Sequence, residues 1–188
     1  MESTLENLNK SAASNGLIVG ILSIVIGVVT YYVFPQLLGS MVFGIGTLFV
    51  SMLIYIFFTL DLRKKIGGFW TFREALRGIF LMAFVAGLLY SVFNYIFYKF
   101  IEPEAFDKIA AYMESGMTKT FENMGMDQEK IDEAVSKQIE GVQAQYQPTF
   151  AQFFKNIGIS VIVQFVMSLI FAAIFKKEKP VFASIEED

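Results

Sequence analysis

The sequence predicts an all-α polytopic membrane protein with four transmembrane helices plus an extramembrane amphipathic helical hairpin between spans three and four. Three observations predict it. Residues 16–34, 37–60, 78–98 and 156–175 contain no charged side chain, and each is about as long as the roughly 20 apolar residues a helix needs to cross a bilayer. The chain of 188 residues is 55% hydrophobic and 16% aromatic, with a mean hydropathy of +0.53, which exceeds the apolar share of soluble domains. Residues 102–155 form the one sizeable polar region, and their apolar positions recur at spacings of three and four, the period of an amphipathic helix.

Taken in order, residues 1–15 are polar and read as a short helix or tail. Glu2 and Glu6 stand there against Lys10 alone, so a basic signal-peptide n-region is missing and span one reads as a retained anchor. Residues 11–60 carry no charge, too long a run for one crossing. Pro35 and Gly39 mark the turn, because proline and glycine break helices, so spans one and two are expected to form a tight hairpin. Asp61, Arg63, Lys64 and Lys65 end span two. Thr71 and Glu74 fit a capping box, from which span three runs to about Ile101.

Pro103 suits the first position of the next helix. Phe106, Ile109, Met113, Met117, Phe121 and Met124 line one apolar face, and Ile131, Val135, Ile139, Val142 and Tyr146 another. Glu104/Lys108 and Glu133/Lys137 lie four apart as candidate ion pairs. Gly125 is placed to stop the first hairpin helix and Asp127 to cap the second. Pro148 ends the hairpin, and a fourth span and a basic tail follow. The organisation is thus 1–101 for spans one to three, 102–155 for the hairpin and 156–188 for span four with its tail.

Lysine and arginine placement orients the chain. Arg63, Lys64, Lys65, Arg73 and Arg77 lie between spans two and three, and Lys176, Lys177 and Lys179 follow span four. Both termini are therefore expected in the cytoplasm and the hairpin outside. The cations near Asp61 and Glu74 are topology determinants first and an anionic-lipid contact second, and Phe69, Trp70 and Phe72 suit an interfacial aromatic belt.

Small residues recur along the spans at helix-packing offsets: Gly16, Gly20, Ser23 and Gly27 on span one, Ser40, Gly44, Thr47 and Ser51 on span two, and Ala83, Gly87, Ser91 and Asn94 on span three. Such stripes let helices approach closely. The first two are expected to meet within the chain, with a homodimer seam as the alternative. Asn94 and Gln164 are the most polar groups inside the spans, and an interhelical hydrogen bond is the first reading, a solute site the second. Ser160, Gln164, Ser168 and Ala172 share a face that should turn inward. Met113, Met117, Met124 and Met126 are either the seam of the hairpin or a candidate partner surface, because methionine adapts to irregular partners.

The chain has neither histidine nor cysteine. Disulfides, Cys/His zinc sites and histidine general bases are excluded, and no cofactor, metal or catalytic residue is expected. A net charge of −3 gives no footprint for nucleic acid. The expected partners are membrane lipid and a protein partner or second copy, with any small-molecule ligand unknown. The function expected is that of a non-enzymatic structural or interaction subunit using its external hairpin; the alternative is a small transporter or channel for a neutral solute, which lacks the intramembrane ionisable group of coupled pathways.

The run 71–78 (TFREALRG), the aromatic stretch 90–98 (YSVFNYIFY), the sequence Phe100-Ile101-Glu102-Pro103 and the turn Met124-Gly125-Met126 resemble a bacterial family, common in Bacteroidetes, known as a domain of unknown function, number 4199. The resemblance runs from end to end. It implies this topology and a bacterial inner-membrane location, and brings no catalytic residue or ligand with it.

Overall fold

The computed structural model describes residues 2–146 and 148–179; the end of the tail, 180–188, lies outside the described residues. Among the described residues six α-helices follow in order: α1 (Glu2–Val33), α2 (Met41–Lys65), α3 (Phe72–Ile96), α4 (Ala105–Asn123), α5 (Gln128–Tyr146) and α6 (Phe150–Phe175). Four are long and apolar enough to cross a bilayer: α1, α2, α6, and α3 with the turn after it. The protein is an all-α polytopic membrane protein in which α4 and α5 form the extramembrane hairpin.

Nothing interrupts α1, so the polar N-terminal residues and span one form one helix of 32 residues, about 48 Å long. Phe34 leaves the helical region at φ −132°, ψ 49°, as a residue before proline is driven to do. A 3₁₀ turn, Pro35–Gly39, leads to Ser40, whose Oγ accepts from the Phe43 N–H at 3.3 Å and caps α2. Three cations, Arg63, Lys64 and Lys65, fill the last turn of α2, where the helix dipole favours them. Gly67 and Gly68 then reverse the chain at φ +102° and +83°, a conformation side chains with a Cβ resist.

The capping box at Thr71 is present in full, with the Thr71 N–H donating to Glu74 Oε2 at 2.8 Å. At its far end α3 loosens into a π turn, Phe97–Ile101, closed by the Glu102 N–H on the Phe97 carbonyl at 2.8 Å. Helix α4 starts at Ala105, two residues after Pro103. It ends in a Schellman motif: the Met126 N–H donates to Phe121 O and the Gly125 N–H to Glu122 O, with Gly125 at φ +75°. A second capping box, Thr149 with Gln152, starts α6 at Phe150, six residues before the charge-free stretch.

The bundle is organised on α3. Helix α1 lies along one side of it and α6 along another. A buried core lies at the end where α1 begins and α6 finishes, where Leu8, Ala12, Leu62, Trp70, Ala75, Ile79 and Met82 are buried together with Phe171 and Ala172. The polar N-terminal residues thus pack as part of the bundle. Helix α2 joins it only at this end: Thr59 and Leu62 are fully buried, while Val42, Leu48, Phe49 and Leu53 are 65–80% exposed. Spans one and two therefore do not form the expected tight hairpin.

Candidate functional sites

The small-residue stripes resolve into different roles. A methyl group built on Gly16 would come within 2.6 Å of the Met82 carbonyl, and one on Gly20 within 2.9 Å of Leu89 Cδ2. Both glycines thus admit α3, not α2. A Cβ on Gly44 would meet nothing within 4 Å. The seam expected between spans one and two is accordingly replaced by a cavity of about 330 Å³, with Ser23 and Gly27 of α1 on one wall and Thr47 and Ser51 of α2 on another. Ser23 and Thr47 donate back to the carbonyls of Val19 and Phe43 at 2.9 Å. Similar spacing on two helices does not make them partners; α3 offers α1 the better fit.

Gly78 is a close-packing position that sequence reasoning missed, because it stands outside the α3 stripe. A Cβ there would lie 2.8 Å from Leu8 Cδ1 and 3.1 Å from Leu62 Cδ2. Gly87, which does belong to the α3 stripe, is also a close-packing point: a Cβ there would collide with the Gln164 amide. Gln164 Nε2 donates to Ser160 Oγ at 3.1 Å, and its buried Oε1 has no hydrogen-bond partner among the described residues. The face of α6 holding Ser168 and Ala172 is buried, with the Ser168 hydroxyl donating to Gln164 O at 2.7 Å. Asn94 Nδ2 donates to its own Tyr90 carbonyl at 2.8 Å. The two intramembrane amides therefore do not bond each other.

Asn94 instead lines a cavity of about 510 Å³ between the C-terminal half of α3, the C-terminal end of α5 and the N-terminal end of α6. Two aromatic pairs stand in its wall: Tyr95 with Phe153 (centroids 4.5 Å apart) and Tyr98 with Tyr146 (4.7 Å). Gln164 lies deeper, beside a void of about 10 Å³ that shares Ser91 and Ser160 with the large cavity.

The hairpin is fastened to the bundle by Glu102. Its Oε2 accepts from Tyr31 Oη at 2.9 Å and from Lys108 Nζ at 3.3 Å, and its Oε1 accepts from Tyr32 Oη at 2.8 Å. The two tyrosine hydroxyls and then Lys108 hold the Glu102 carboxyl below the usual carboxylate range, and the bond to Glu102 raises Lys108 above its ordinary value. Lys108 therefore pairs with Glu102 rather than Glu104. No ion pair links Glu133 to Lys137 among the described residues; Lys130 with Asp127, at 3.4 Å, is the pair that α5 makes. Beneath this latch Tyr31, Phe97, Ala105 and Ile109 form a buried cluster.

The methionines divide. Met117 is buried against Ile131 and Val135, with Met113 and Met126 partly buried beside it. Met124 alone is strongly exposed, at 70%, on the turn. At the opposite end, Trp70 is buried rather than part of an interfacial belt. Its Nε1 donates to Phe175 O at 2.8 Å, and its backbone pairs with Lys177. Asn15, fully buried, donates to Asp61 Oδ2 at 2.9 Å and accepts from Lys65 Nζ at 2.8 Å, while Arg63 reaches the Phe175 carbonyl. Asp61, Lys65 and Arg63 thus tie α1, α2 and α6 together. Among the described residues no acidic cluster is placed to hold a metal ion.

Four apolar helices ordered on α3 and an acidic hairpin latched to one end of them define a class: small multi-pass helical membrane proteins with one extramembrane module. Residues 14–177 match the family model described as "Protein of unknown function (DUF4199)". The chain belongs to this family. No curated protein and no solved structure matches it.

Proposed function

We propose that this is a non-enzymatic interaction subunit of a bacterial cytoplasmic membrane, with both termini in the cytoplasm and the α4–α5 hairpin outside as its docking module. The observation that carries the reading is the division of labour within the hairpin. Its apolar seam is filled by its own side chains, its base is anchored by Glu102, and it leaves Met124 exposed on a turn fixed by a Schellman motif. Ten acidic residues against four lysines lie between 102 and 147. That charge favours a partner with a basic surface and repels the module from an anionic bilayer.

A photocrosslinking residue at Met124 tests this in native membranes. The expected outcome is one dominant protein adduct, lost when Glu129, Asp132 and Glu133 are changed to lysine. Crosslinks confined to lipid, or an adduct indifferent to the charge reversal, contradict it. The neutral-solute alternative is supported less well. A path through the bundle would have to join cavities that lie beside α1 and α2 on one hand and beside α6 on the other, with α3 between them.

A further inference from the structure

The cavity between α3, α5 and α6 has an unusual lining for a protein half buried in hydrocarbon. It holds about 510 Å³, within the range of small-molecule sites. Four phenols line it, those of Tyr90, Tyr95, Tyr98 and Tyr146. The primary amides of Asn94 and Asn156 and the hydroxyls of Ser91 and Ser160 complete its polar set. No carboxylate, ammonium or guanidinium is among the described lining residues. A cation, Lys99, lies over the Tyr95 ring and donates to its hydroxyl at 2.9 Å.

This composition selects a ligand chemistry. An ionised head group would lose water without a counter-charge among the described lining residues, and the nearby Lys99 is engaged with the Tyr95 hydroxyl, so its burial is unfavourable. A flat ligand with two acceptors would leave most of the lining groups unpaired, each at a cost. Phenols, amides and serine hydroxyls can both donate and accept. They match a ligand whose own groups do both, namely hydroxyls, while the paired rings offer apolar faces to the C–H surface between them. The wall also reaches the side of the bundle: Ile159 lines the cavity and is 51% exposed, so an apolar chain attached to the ligand could lie along α6.

We propose that this cavity binds an uncharged polyhydroxyl group, a sugar or glycerol unit carried by a neutral lipid or free in solution. The site is independent of the docking role assigned to the hairpin, since it lies at the hairpin's base and not on its acidic surface.

Photolabelling of the full-length protein in phosphatidylcholine nanodiscs tests it. The probe is an alkyl glucoside with a diazirine in its chain, and the control is a phosphatidic acid with the same chain. The expected result is glucoside capture on peptides covering residues 90–98 and 153–160, suppressed by excess unlabelled alkyl glucoside and well above capture of the phosphatidic acid. Suppression by glucose as well identifies a free saccharide as the source; indifference to glucose identifies a lipid head group. Asn94→Leu with Asn156→Leu should lower capture about tenfold, as losing hydrogen bonds from two amides implies. Should that variant fail to fold, the competition on the unaltered protein decides. Equal capture of the anionic probe, or labelling that unlabelled glucoside does not compete, overturns the proposal.

Discussion

Glu102 is the residue on which the hairpin's attachment turns. Its folded pKa is depressed by Tyr32, Tyr31 and Lys108, so its stabilising contribution is present above the ordinary carboxylate value and is lost as pH falls through the lower, folded one. Protection of the 105–113 amides from hydrogen exchange, corrected for intrinsic rates, should therefore be constant from neutral pH down to the ordinary glutamate range, about 4.3, and fall only below it. Glu102→Gln should show the faster exchange at neutral pH. Acceleration already at pH 6 contradicts the latch. The glycines supply a second test. Gly20→Leu forces α1 off α3 and should destabilise by about 1–3 kcal/mol, whereas Gly44→Leu projects into open space and should leave thermal stability in detergent unchanged. Equal losses would restore the seam between spans one and two. Sequence spacing made both stripes visible; what it lacked was the opposing surface, since Met82, Val85 and Ala86 meet Gly16 and Gly20 only through the path of the chain.

At the scale of elements, ends were more legible than partners. The Thr71 box and the Gly125 stop are local motifs, readable because their hydrogen bonds join residues three to five apart. The same logic would have found Thr149 with Gln152, which the adjacent charge-free run obscured by drawing the start of span four to residue 156. Thr149→Ala should cost about 1 kcal/mol. Gly125→Ala places a Cβ at φ +75° and should cost about 1 kcal/mol; urea or thermal unfolding of the two variants checks both, and no loss from Gly125→Ala would mean the turn is not held in this conformation. Trp70 was misread for a different reason. Its aromatic neighbours and flanking charge suit an interface, but the long reach to Phe175 O buries it, and composition carries no trace of that contact.

For the molecule as a whole, hydropathy determines how many helices cross and which segment stays out, because a charged residue in hydrocarbon is costly wherever the helix stands. It says little about which spans touch, since lipid solvates an apolar face as well as a neighbouring helix does. That is why the four spans and the hairpin were legible while the centrality of α3, the partial detachment of α2 and the large cavity were not. The proposed topology is sided, with the termini on one side of the membrane and the hairpin on the other. The chain has no cysteine, so single cysteines report cleanly. In bacteria with a permeabilised outer membrane, a membrane-impermeant maleimide should label Lys119→Cys and Ser136→Cys before lysis and Glu6→Cys only after it; labelling of Glu6→Cys in unlysed cells, with Lys119→Cys and Ser136→Cys protected, would contradict the account.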